Sequence, residues 1–304
     1  MTTNAWSSSR DGEDVSGSGR GHLRDALMRW RADPVRLWIL PAAIVFLVFY
    51  IFPIVQLLIR SIYDKGFTSE HYLHLINEPI YRLAFFTTFR IAFLVTIVCI
   101  LVGYPIAYLL RRLQPPTLHI VLAIVLIPFW TSVLVRSYAF IALLSRSGIV
   151  NKSLMSLGLI ERPLPLLYNE TGVVIGMTYV LLPMMVLTIY SAMHGIDDRL
   201  LAASDSLGAR PIVSFFRVFL PLSLPGIWTG SLLVFLTGIG FFITPALLGG
   251  GRVPTLATMI ESQMHGVLNW GLGSALSVTL LAATVLIFVL FDRLIGMESL
   301  LRKH

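Results

Sequence analysis

Long apolar runs alternate with short polar ones along this chain, and the runs set its architecture. Six stretches hold about twenty or more mostly apolar residues each, the length needed to cross the hydrocarbon core of a bilayer. They are Trp38–Ile59, Leu83–Leu110, Leu118–Leu144, Val173–Met193, Ile227–Leu248 and Leu272–Phe291. The pattern predicts an all-α polytopic membrane protein with six transmembrane helices. Gly and Pro fall inside several runs, as in LVGYPIAYLL and VLLPMMVL; neighbouring membrane helices can supply partners for the backbone groups that Pro frees. Residues 1–33 break the pattern, being rich in Ser and Gly with almost nothing to bury. They are expected to form a disordered tail, and residues 34–304 the membrane domain. The tail is too long and too acidic for the n-region of a signal peptide, so the first run is expected to stay in the mature protein.

Composition agrees with the runs. Of 304 residues, 56% are hydrophobic and only 13% charged, against about 25% charged in a soluble domain; the mean hydropathy is +0.80. A net charge of +7 in such a chain points to basic residues anchoring loops rather than to nucleic acid. Fourteen Lys and Arg flank the runs on the side holding both termini, and seven flank them on the other. That bias predicts cytoplasmic termini, and it puts the segment between runs four and five on the same side. The single cysteine, Cys99, lies within a run; it allows no intrachain disulfide or cysteine zinc site and reads as a small buried hydrophobe.

Two charges remain inside the runs, Arg90 and Arg136, both in the outer half. An intramembrane charge is a functional candidate by default. The competing reading is snorkelling to the headgroups, or pairing at a helix contact.

The segment from His194 to Leu224 has helical order. Asp197 and Asp198 precede RLLAASDSL, where they suit a helix N-terminus. Leu200, Ala203, Ser204 and Leu207 share one face. Gly208 follows where a helix C-cap favours a left-handed residue, and Pro211 fits the first turn of a second helix. Ile212, Phe215, Phe216 and Phe219 repeat the spacing as an aromatic face. Two short helices with a Gly between them predict a compact knob that fits a cleft on another protein; the alternative lays the phenylalanines against the membrane interface.

This segment resembles the EAA loop of permease subunits of bacterial ABC importers: Glu-Ala-Ala, three residues, Gly, nine residues, then Ile-x-Leu-Pro. Here the chain reads AASDSLG, nine residues, then VFLP, so Gly208, Leu220 and Pro221 match in register and Ala203 takes the first Ala position. Ala202 stands where the family has Glu, and Ser204 where it has the second Ala. The motifs IPFWTSVLVRSYAFIALLSRSGIVN, VGYPIAYLL, FITPALLGG and GLGSALSV are similar to the spermidine/putrescine branch, over Trp38 to Gly296. The resemblance implies a type I importer: two permease subunits, a cytoplasmic ATPase dimer receiving one coupling loop from each, and a periplasmic solute-binding protein. It makes Ala202, Ala203, Ser204, Asp205, Gly208, Ala209, Phe215, Phe216, Phe219, Leu220 and Pro221 the ATPase-coupling residues. No cofactor is expected on this chain, ATP being bound by the partner; the P-loop needs Gly-Lys-Ser/Thr, and none of Lys65, Lys152 and Lys303 follows a Gly.

The implied solute is a polyamine or a related small amine. Polyamines are cations, which favour carboxylates and aromatic faces. The polyamine permeases commonly place an acid where this chain has Phe241, and no Asp or Glu lies deep in any run. An amino-acid derivative or aminophosphonate is the alternative, because Arg136 would suit its anionic group. Pathway candidates are Trp130, Thr131, Arg136, Tyr138, Tyr179 and Thr244. A secondary transporter would also show six runs, but more often with an inverted repeat and buried acids. An enzyme would need a catalytic set, and neither His-Glu-x-x-His nor Gly-x-Ser-x-Gly occurs.

Overall fold

The computed structural model describes residues 41–63 and 70–301, the last eight as backbone alone; the expected tail, residues 1–33, and the start of the first run lie outside them. All the major elements are helices. In chain order they are α1 (Pro41–Ile62), α2 (Glu70–Asn77), α3 (Pro79–Arg112), α4 (Pro115–Trp130), α5 (Val133–Leu144) and α6 (Ile149–Ser156). There follow α7 (Glu170–His194), α8 (Asp198–Ser206), α9 (Pro211–Ile239), α10 (Ile243–Gly249), α11 (Leu256–Glu261) and α12 (Trp270–Leu301). The chain divides into two compact units between Gln56 and Leu57; the first is represented by the start of α1, and α2–α12 belong to the second.

Among the described residues, six helical segments are long and apolar enough to cross a membrane: Pro41–Ile62, Pro79–Arg112, Val133–Ser156, Glu170–His194, Pro211–Ile239 and Trp270–Arg293. Two of the predicted runs are not single helices. Leu118–Leu144 breaks at Thr131, in extended backbone, and Ser132, which is also non-helical. Ile227–Leu248 stops being one helix at Ile239, and α10 begins after Gly240–Phe242. Apolarity continues across both breaks, so a reading by composition passes straight over them.

The centre of the larger unit is α7, packed against both α3 and α9, which also pack on each other. Val95, Cys99, Met177, Met185, Ile189 and Val234 meet there, fully buried or nearly so. Cys99 is the expected small hydrophobe, its thiol directed at the Thr178 carbonyl. Small residues allow the close approach, as is usual where helices pack without a water-driven force; Gly226 and Gly230 of α9 face Ile189, Ala192 and Met185 of α7.

Proline shapes two of the helices in the same way. A π turn at Leu47–Ile51 precedes Phe52-Pro53, and another at Phe215–Phe219 precedes Leu220-Pro221. Pro has no N–H, and its ring collides with the carbonyl four residues back. Widening the preceding turn by one residue relieves that collision while the helix continues.

At 34 residues, α3 is about 51 Å long, far more than the roughly 30 Å hydrocarbon core. Its first turns pack with α11 and α12 through Tyr81, Ala84, Leu256, Leu272 and Leu276. Thr88 seals that contact, its hydroxyl accepting from the Leu256 amide at 2.8 Å and donating to the Ala84 carbonyl at 2.7 Å.

Candidate functional site

The segment linking α7 to α9 is built from local signals. Asp197 caps α8, its carboxylate accepting from the Arg199 amide at 2.9 Å. The helix ends at Gly208, whose φ is +78°. There the Gly208 amide donates to the Asp205 carbonyl at 2.9 Å and the Ala209 amide to the Ser204 carbonyl at 3.2 Å, satisfying carbonyls the helix would otherwise leave open. A Cβ at Gly208 would meet nothing within 4 Å. The requirement for glycine is therefore conformational, and the corner stands open.

The expected second short helix is not separate. From Pro211 the chain runs as one helix to Ile239, so the knob is α8 plus a glycine corner that feeds directly into a span. Leu220 and Pro221 accordingly lie in the body of α9 just past the π turn, partly buried. Ala202, Ala203 and Asp205 are exposed on α8, and Ala209 is half-buried.

Ser204, which stands where the family pattern has Ala, clips the corner shut. Its hydroxyl lies 2.8 Å from that of Ser214, and Ser214 also donates to Asp205 Oδ1 at 3.4 Å. Ser204→Ala should remove the clip and cost about 1 kcal/mol, seen as a small fall in the thermal midpoint of the purified permease. An unchanged midpoint would show that the clip contributes no stability.

The phenylalanine face divides between buried and exposed positions. Phe219 is 1% exposed, its ring edge-on to Tyr108 at 5.3 Å. Phe215 packs edge-on against Tyr104 and Tyr108 of α3 at 6.2 and 5.6 Å. Only Phe216 is exposed; beside the corner so are Ile212 and Leu207, the latter at 89%. Phe215 and Phe219 thus hold the segment to α3, while Leu207, Ile212 and Phe216 present its apolar outer surface.

Arg111, near the end of α3, makes the tightest polar contact with this segment. Its guanidinium donates to the Ile196 carbonyl at 3.0 Å and to Asp198 Oδ1 at 2.5 Å, and lies 4.8 Å from the Phe219 ring centroid. Its side chain is 13% exposed, against 87% for Asp198. An ion pair to so exposed a carboxylate contributes little; the carbonyl bond and the ring contact are the stronger part. Arg112 lies over the Tyr108 ring and bonds its hydroxyl. A cavity of about 520 Å³ lies between the α3 end and α8, bordered by Tyr108, Arg112, His194, Leu201 and Asp205.

The pathway candidates scatter. Trp130 is 86% exposed and Tyr138 61%; both belong to the broken run. Tyr179 is 37% exposed and lies edge-on to Phe140 at 5.2 Å. Thr244 is buried, its methyl against Gly176 where α10 packs on α7, so it does not line an open surface. Thr131 and Arg136 belong to the break itself. Arg136 donates to the Pro128 carbonyl at 2.8 Å and the Thr131 carbonyl at 3.3 Å, and Thr131 Oγ1 donates to Pro128 at 3.2 Å. A cation there suits the negative C-terminal end of α4 and serves carbonyls that have left the helical ladder. Arg136→Ala should therefore lower the thermal midpoint, at a cost of about 2 kcal/mol, with Arg136→Lys intermediate. Equal stability of all three proteins would contradict this bracing role.

Arg90 is not isolated either, since it pairs with Glu170 in the first turn of α7, where a carboxylate also favours the helix N-terminus. Sequence reading overlooked Glu170, Tyr108 and Arg111. Only the helix-end position of Glu170 and the Arg-Arg pair closing run two could have flagged them.

No family model matches the chain. It is 38% identical over 233 residues to the spermidine/putrescine transport system permease protein PotB of Haemophilus influenzae, covering 77% of this chain and 81% of that one. With PotB of Escherichia coli it shares 34% over 227 residues, covering 75% and 82%. The inner membrane ABC transporter permease protein YdcU of Escherichia coli is 30% identical, covering 70% and 72%. Among solved structures, a chain of a bacterial alginate ABC transporter superposes with a TM-score of 0.72 at 17% identity, over 89% of this chain and 95% of that one. A chain of the inward-facing MetNI methionine ABC transporter gives 0.56 at 18%, over 76% and 98%. The structures share the fold, and the relatives supply the family: this chain belongs to the spermidine/putrescine-type permeases of the ABC transporters.

Proposed function

We propose that the chain forms half of a translocation pathway for a polyamine, beside a second permease subunit. In this reading a periplasmic binding protein delivers the solute, and a cytoplasmic ATPase dimer docks on the segment around Gly208. As a family member the chain is a non-catalytic permease subunit of the inner membrane, with ATP hydrolysed by a separate subunit. That secondary-transport alternative ends with the family. The termini and α8 face the cytoplasm in this account, as the excess of Lys and Arg on that side favours.

The observation that carries the coupling role is the open glycine corner: Gly208 at φ +78° with free space about it, flanked by exposed Leu207 and Ile212. The polyamine assignment rests on the PotB relatives. The aminophosphonate alternative drew on Arg136, whose guanidinium is engaged by the Pro128 and Thr131 carbonyls; Arg90 is likewise engaged by Glu170. Neither arginine then counts against a cationic solute.

The test reconstitutes the chain with its partner permease, ATPase and binding protein. Spermidine-loaded binding protein should stimulate ATP hydrolysis and drive spermidine into proteoliposomes. Stimulation by an amino-acid derivative or aminophosphonate, with none by spermidine, would replace the polyamine reading and leave the permease role intact.

A further inference from the structure

We infer that Arg111 is the positioning residue that ties the ATPase-docking segment to α3, making α3 the rod that carries ATPase closure across the membrane. This deepens the proposed coupling role and rests on it.

The docking segment is covalently continuous with α7 and α9, so its movement reaches those two helices through the backbone. It has no covalent link to α3. What joins them is one guanidinium, a patch of rings and the hydroxyl pair of Tyr104 and Ser223 at 3.1 Å. Arg111 reaches the entrance of the segment through the Ile196 carbonyl and Asp198, and lies against Phe219 at its exit. Both ends of the segment are thereby held to a single side chain, itself only 13% exposed. Its planar fork can serve two acceptors while its face rests on a ring, which an ammonium cannot do.

The remote end of α3 is fastened just as specifically. Arg90 pairs with Glu170 at the start of α7, and the Thr88 hydroxyl holds the Leu256 amide at 2.8 Å. Between these anchors α3 lies packed along α7 and α9. A displacement applied at Arg111 therefore has a continuous helix to travel along, and a defined set of contacts to move at its other end. A rigid element biased at one end is the physical basis on which two distant sites couple.

The test uses the assembled transporter in nanodiscs, with Cys99→Ala and a fluorophore on Phe86→Cys, an exposed position near the remote end of α3. Trapping with ATP and vanadate holds the ATPase closed. Arg111→Ala should trap nucleotide as fully as the parent, while the fluorophore response falls about tenfold, within the usual range of coupling between sites. Arg111→Lys should restore part of it. A full response in Arg111→Ala would overturn the inference. So would a loss of trapping that Arg111→Lys does not restore, because Arg111 would then only support the fold of the segment. Gly208→Glu serves as the control for the underlying reading: normal trapping in that variant would refute docking at the corner itself, whereas failure of the Arg111 prediction alone would leave docking standing.

Discussion

Gly208→Glu is expected to release the ATPase from the detergent-purified transporter and abolish uptake, while the permease still elutes as a folded species. Two effects act together. Any L-residue at φ +78° adopts the left-handed conformation at a cost of about 1 kcal/mol, which shifts the corner. The new side chain then projects into the open space that Gly208 leaves on the docking side, carrying a charge between Leu207 and Ile212, both strongly exposed. Gly208→Ala isolates the first effect and should reduce uptake without releasing the ATPase. Co-purification of both variants separates conformation from obstruction. If the ATPase stays bound to Gly208→Glu and hydrolysis remains coupled to uptake, the corner is not the docking point.

Gly226→Val is expected to be the most damaging small substitution in the helical core. A Cβ at that position would collide with Ala192 and lie 3.2 Å from both the Ile189 Cα and the Thr188 carbonyl oxygen. Two of those neighbours are backbone of α7, so relief requires the helices to part. Overpacking of this kind costs about 3 kcal/mol, and parting α9 from α7 would expose the contact that orients the docking segment. Gly230→Ala makes a useful comparison: its Cβ would meet the Met185 sulfur at 2.8 Å, and a thioether can rotate away. Thermal midpoints from fluorescence-detected size exclusion should fall markedly for Gly226→Val and modestly for Gly230→Ala. A Gly226→Val midpoint equal to that of the parent would contradict the close α7–α9 contact.

What was legible in the sequence follows from how far each determinant reaches along the chain. Four of the apolar runs, the Asp197 cap and the Gly208 corner depend on residues within a few positions of each other, and each is where local grammar put it. The breaks at Thr131–Ser132 and Gly240–Phe242 escaped because hydropathy measures composition, not continuity of backbone. Phe215, Phe216 and Phe219 have the spacing of one helix face, yet periodicity alone could not say which of them turns toward α3. Arg111 was counted only as a topology signal, because Ile196 and Asp198 lie 85 and 87 residues further on. Arg136 looked like a candidate for a solute's anion until its carbonyl partners, five and eight residues back, were in view.

The central claim is that the surface around Gly208 is where the motor attaches. Its most direct test is site-specific cross-linking from that surface, with Leu207→Cys in a Cys99→Ala background and Leu157→Cys as the comparison, both positions being widely exposed. In the intact transporter, Leu207→Cys should cross-link to the ATPase subunit and Leu157→Cys should not. Cross-linking of Leu207→Cys to the binding protein, or of Leu157→Cys to the ATPase, would contradict both the docking surface and the orientation of the chain.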